Sequence, residues 1–179
     1  MPATDEELRA LIARMLDRKA EYETLKFDEP FERPNPGPAA EDDLRRAESL
    51  IGKPLPVDLR RFLSIRDGFD YMDGRAKILG AGEYGARWVV EAMDAMDELF
   101  TEFAAHNPLR HGAFPVMVGE DSRPMVLYEI PAGGGAGEYV EYDWVEEIDR
   151  YASLVDWLES DLAVVEVLID RELNGTEEG

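Results

Sequence analysis

The chain contains no cysteine in its 179 residues, which excludes disulfides and thiolate-held metals and leaves no argument for an oxidising compartment. Histidine is nearly as scarce: only His106 and His111 occur. They flank Asn107-Pro108 in an expected surface loop and fall short of the three or four ligands zinc takes. Long apolar runs are missing too. No stretch approaches the roughly 18 apolar residues a membrane span needs, and Met1-Pro-Ala-Thr-Asp-Glu-Glu7 has no basic region leading into an apolar one. A cytoplasmic location is therefore expected, with no membrane association.

Basic residues are the last scarcity. Lys and Arg number 19 against 40 Asp and Glu, a net charge of -21. A field of that sign repels nucleic acid and anionic membranes and attracts basic proteins. The imbalance is concentrated, because residues 124–179 hold 15 acids and 2 bases. Apolar residues make up 45% of the chain, enough for one domain with a core of its own.

Thr4-Asp-Glu-Glu7 reads as a capping box, and Leu8, Leu11, Ile12, Met15 and Leu16 follow at helical spacing, predicting a helix to about residue 24. Pro30, Pro34, Pro36 and Pro38 then read as an extended connector. Between Ala47 and Gly68 the sequence reads as helix, stop, helix, stop. Gly52 suits the left-handed residue that ends a helix, Pro56 the first turn of the next, and Gly68 the second stop. Leu55, Leu59, Phe62 and Leu63 fall on one face.

Further on, Ala76–Leu79 and Ala86–Val90 read as strands joined across a glycine-rich hairpin, and Glu91–Asn107 as an amphipathic helix. Phe114–Val118, Pro124–Ile130 and Glu138–Trp144 read as three more strands. In the last, Tyr139, Glu141 and Asp143 alternate with Val140, Tyr142 and Trp144. The first set is expected outward and the second inward, with Trp88 and Trp157 in the core. Ile148–Leu173 reads as a closing helix with a break near Asp161. This order predicts an α+β domain: an antiparallel meandering sheet, helices packed on one side, a closing C-terminal helix and an extra N-terminal helix. A single domain is expected over 1–179, with helix and connector at 1–38, the core at 39–173 and a frayed tail at 174–179.

The acidic helix, Ile51-Gly52 stop, Leu55-Pro56, Phe62-Leu63 pair and Asp67-Gly68 ending resemble the opening of the SMI1/KNR4 (SUKH) family. Phe114-Pro115, the Gly119-Glu-Asp121 turn, the strands around the glycine loop and Tyr151-Ala-Ser-Leu-Val-Asp-Trp-Leu158 continue the resemblance in order over about residues 40 to 160. The first helix and the insert Pro131–Gly137 lie outside the pattern. The resemblance implies the α+β fold. It also implies, in bacteria, an immunity protein that neutralises a cognate toxin, often a nuclease, or, after the fungal namesake, a regulatory scaffold with several cellular partners.

Catalytic and cofactor motifs find no support. Gly80-Ala-Gly-Glu-Tyr-Gly85 is a literal G-x-G-x-x-G, but a dinucleotide site needs a helix directly after it and an acid about 20 residues on, ending a second strand. Gly133-Gly-Gly135 lacks the Lys-Ser/Thr of a phosphate loop. No nucleophile elbow links a serine to either histidine. Asp67, Asp70 and Asp73 lack the closing glutamate of a calcium loop, Ile78 standing in its place. No catalytic residue, metal ligand or cofactor site is therefore expected.

What remains is an acidic stretch rich in aromatics. Glu138, Tyr139, Glu141, Asp143, Glu146, Glu147 and Asp149 are the candidate partner-binding residues, since aromatics make interface hot spots and carboxylates pair with a partner's arginines. A basic, nuclease-like toxin is the partner that both charge and resemblance point to. The oligomeric state is open.

Overall fold

The computed structural model describes residues 3–119 and 123–175. Among them the elements run α1 (Asp5–Phe27), α2 (Glu41–Ile51), α3 (Val57–Ile65), β1 (Phe69–Asp73), β2 (Ala76–Ile78), α4 (Arg87–Glu102), β3 (Phe114–Val118), β4 (Met125–Glu129), β5 (Glu138–Asp143), β6 (Glu146–Tyr151) and α5 (Leu154–Asn174). The chain is an α+β protein, as its element order predicts. Glu120 and Asp121 of the expected turn, and the tail beyond residue 175, lie outside the described residues.

The chain divides into two compact units: residues 1–33 with 155–179, and residues 34–154. In the first, α1 opens with the expected capping box, Thr4 Oγ1 accepting from Glu7 N–H and Glu7 Oε2 accepting from Thr4 N–H at 2.7 Å. Its stripe Leu8, Leu11, Ile12 and Met15 is buried. Ion pairs Arg14–Glu159, Lys19–Asp161 and Lys26–Glu172 join it to α5. The partner numbers rise together, so the two helices run parallel. No break occurs at Asp161, whose carboxylate lies 2.7 Å from the buried Lys19 ammonium. The chain leaves α1 through Asp28 in the left-handed conformation. It is then tied back by buried Glu23, which accepts from Phe31 N–H at 2.9 Å and from the Arg33 guanidinium.

The second unit holds a six-stranded sheet in the order β1-β2-β3-β4-β5-β6, each strand antiparallel to its chain neighbour. Leu55, Leu59, Phe62 and Leu63 are buried as their spacing predicts, with Phe69, Ile78, Val116, Val126, Leu127 and Val140. Gly52 caps α2 at φ 80°. α3 ends one residue before Arg66, and Gly68 serves a different purpose from the stop read in the sequence. At φ +94° its Cα faces β2 so closely that a Cβ would lie 2.9 Å from Ile78 O and from Gly80 N.

Two expectations give way here. Arg87–Val90, read within a strand, is the first turn of α4: Val89 and Val90 N–H donate to Ala86 O, and Val89, Met96 and Phe100 share the buried side. β-branched residues there outweigh helical spacing only if the window is cut short at Val90. Trp88 consequently sits on the outer side of α4, 40% exposed, and not in the core. The partner of β2 is instead β1, turned back through the two-residue loop Gly74-Arg75, with glycine at the first position at φ 54°. The second displacement is β6. Glu146–Tyr151 pairs with β5 before α5 begins at Leu154, so the closing helix starts later than the apolar spacing from Ile148 suggests.

Candidate functional site

Opposite faces of β5 meet different helices. On one face the Tyr139 phenol donates to Asp58 of α3 at 2.6 Å; on the other Tyr142 packs edge-to-face on Phe100 of α4, ring centroids 5.6 Å apart. With both faces covered, the wet/dry alternation read along β5 fails. Tyr139, expected outward, is only 1% exposed, and Tyr142 is buried as expected. The wet acidic surface lies instead across the neighbouring edge strand, where Glu146 through Arg150 are all exposed.

Register places carboxylates directly opposite one another three times: Glu129 with Glu138, Glu141 with Asp149, and Asp143 with Glu146. Like charges so placed destabilise a sheet, which makes their repetition notable in a chain with few bases to spare. Arg150 answers the first pair. Its Nη1 donates to Glu138 at 2.8 Å, its Nε and Nη2 clamp Glu147 at 3.0 and 2.9 Å, and Nη2 lies 3.6 Å from Glu129. These bonds hold Glu147 below the ordinary carboxylate range and push Arg150 up. Glu129 in turn accepts from the Tyr142 phenol at 2.5 Å; burial, then this bond, raises that phenol.

Between Tyr142 and Asp149 the ladder slips, leaving Ile148 as an extra residue in β6, 56% exposed. Bulges and charges on an edge strand both oppose pairing with a further strand. At the tip, Asp143 and Glu146 are joined by Trp144-Val145, with Trp144 at φ 60°. The alternation predicts Trp144 inward with Val140 and Tyr142. The left-handed turn rotates it out instead, 41% exposed, against Phe103 at 6.1 Å between ring centroids. Arg123 completes this corner, its guanidinium carbon 4.8 Å above the Trp144 ring and its Nε donating to Asp143 at 2.7 Å.

Of the seven candidate residues, then, Tyr139 is enclosed, Glu138 and Glu147 hold Arg150, Asp143 holds Arg123, and Asp149 accepts from the Arg150 N–H at 2.8 Å. Glu141 is half-buried and Glu146 exposed. Sequence reading missed Arg123, Arg150, Glu129 and Phe103. Arg150 carried a signal, as the only base between Pro124 and Asp170.

Beside the hairpin lies a cavity of about 650 Å³ lined by Tyr142, Glu129, Glu147, Arg150, Lys53, the two histidines and apolar residues including Ile130 and Pro131. The imidazoles of His106 and His111 stack there, 5.0 Å between centroids and 11° apart. Among the described residues no group of three or more histidine or carboxylate side chains is arranged for a metal ion. Asp70 and Glu83 are bridged by the Lys77 ammonium at 3.0 and 2.8 Å. The glycine motif Gly80–Gly85 does lead into a helix, contrary to the sequence reading. Its surroundings differ from a dinucleotide site on other grounds: the sheet is antiparallel, and Glu83 accepts from Gly80 N–H at 2.8 Å, bringing a carboxylate to where a phosphate would need that donor. No helix among the described residues is long and apolar enough to cross a membrane.

An antiparallel meander flanked by short helices, with a carboxylate-rich edge and no assembled metal-ligand set among the described residues, defines an α+β protein whose outstanding surface is the β5–β6 hairpin. The model of the SMI1 / KNR4 family (SUKH-1) matches residues 38–160, most of the chain, and the protein belongs to that family. The family is commonly associated with immunity proteins and is not a known enzyme family. Comparison with curated proteins gives no match.

Proposed function

We propose that the chain is a non-enzymatic, cytoplasmic immunity protein that neutralises a basic, nuclease-like toxin through the β5–β6 hairpin. The observation that supports this most is the triple juxtaposition of carboxylates across β4, β5 and β6 at the exposed end of the sheet. Carboxylates so placed repel; Arg150 and Arg123 offset part of that repulsion within the chain, and a partner's cations would offset more. Net charge steers such an encounter, while the carboxylates set its salt dependence.

Affinity capture on the tagged protein, washed at low and then high salt, tests the reading. One basic polypeptide with a nucleic-acid-cleaving domain, released by salt and lost on Glu141→Lys with Glu146→Lys, is the expected result. Glu147 is left intact because it clamps Arg150. A diverse set of weakly held housekeeping proteins would replace the toxin reading with that of a scaffold.

A further inference from the structure

We infer that Trp144 and Asp143 form a receptor for an arginine side chain of the basic partner, occupied in the free protein by Arg123. The inference rests on the reading just given, that this hairpin meets a basic protein.

Trp144 is a bulky residue at φ 60° in a two-residue turn, where glycine or asparagine would sit without cost. Such conformations persist where the surroundings enforce them, and they gather at binding sites. The surroundings here do not bury the indole. Its contact is Phe103, itself 53% exposed, followed by Ala104 in the left-handed conformation that ends α4. Two left-handed residues thus hold two aromatic rings together in solvent, in the most acidic part of the sheet.

Arg123 shows which chemistry the corner accepts. The guanidinium carbon lies close enough to the centre of the indole for attraction to its π face while its Nε reaches the adjacent carboxylate. Arg123 and Asp143 are each about half exposed, 46% and 48%, so their pair is held weakly and exchanges readily. Glu146, opposite Asp143, adds a second carboxylate for an incoming cation. Lysine would satisfy the charge without the planar stacking.

The test uses full-length protein labelled at the indole nitrogens and titrated with hexa-arginine at about 150 mM salt, where distant charges are screened. The three tryptophans give three indole signals. That of Trp144 shifts, those of Trp88 and Trp157 stay, and hexa-lysine binds more weakly. Arg123→Ala removes the internal competitor and tightens binding about 3-fold, while Asp143→Asn and Trp144→Asn each weaken it about 5-fold. Asparagine suits the left-handed turn, so the hairpin survives that change. A stationary Trp144 signal, or unchanged affinity in Arg123→Ala, overturns the inference. Toxin capture undiminished by Trp144→Asn overturns it alone. A Trp144 shift with no toxin found overturns only the toxin reading.

Discussion

The Tyr139 phenol donates to the Asp58 carboxylate at 2.6 Å across 81 residues of sequence. Asp58 also accepts from Leu59 N–H at 2.9 Å in its own helical turn and from Leu154 N–H at 2.7 Å. One side chain thus pins the start of α3 to β5 and to the residue that opens α5. Removing a partner from a part-buried carboxylate costs about 1–3 kcal/mol. Tyr139→Phe should lower unfolding stability by that amount in urea, with the slope of the transition unchanged.

Burial raises the phenols of Tyr84, Tyr139 and Tyr142 above the ordinary tyrosine range. A raised phenol favours the fold while neutral. That stability is complete below the unfolded value near pH ~10 and falls as pH rises beyond it. Phenolate absorbance should therefore show these three of the seven tyrosines ionising together with unfolding, after the exposed ones.

Hydrogen bonds from arginine hold Asp97 and Glu147 below the usual carboxylate range, Arg110 acting on the first and Arg150 on the second. Depressed carboxylates stabilise above their unfolded pKa, near pH ~4, and lose that contribution as pH falls further. Arg150→Met should reverse the trend locally. Glu129, Glu138 and Glu147 then repel at pH ~7 and cease to when protonated, so the variant's deficit in urea midpoint shrinks on acidification. A deficit independent of pH would mean that Arg150 acts through packing alone.

Gly52 and Gly68 both adopt positive φ, but only Gly68 faces neighbouring backbone. Gly52→Ala should cost about 1 kcal/mol, the strain of a left-handed alanine. Gly68→Ala adds a collision with Ile78 O and Gly80 N and should cost more than about 3 kcal/mol, the range reached when strain and overpacking combine. Thermal unfolding of the two variants separates the terms.

Much of the fold is legible in the sequence where its signals are local. Thr4 and Glu7 announce the first cap, Gly52 the end of α2, and the spacing of Leu55, Leu59, Phe62 and Leu63 the buried face of α3. Misreadings arise where local preference and three-dimensional context part. Arg87-Trp-Val-Val90 has strand-forming residues, yet its apolar side continues into Met96 and Phe100. Alternation assigns Tyr139 to a wet face that α3 covers. The β6 strand is hidden because Ile148, its bulged residue, and Tyr151 fit the helical spacing of α5. The acidic surface is legible as composition. Its wiring through Arg123 and Arg150 is not, because Arg123 reaches Asp143, 20 residues on, and Arg150 reaches back 12 residues to Glu138 on the neighbouring strand.

The strand order β1 to β6 also bears on how the molecule is made. Every ladder joins strands adjacent in the chain, and only the β2–β3 link spans an intervening helix. Contacts between near neighbours close with little loss of chain entropy, and folds rich in them form quickly. Synthesis from the N-terminus presents each strand to a neighbour already in place. The sheet can therefore assemble by successive hairpins as it leaves the ribosome, reaching its carboxylate-laden edge last.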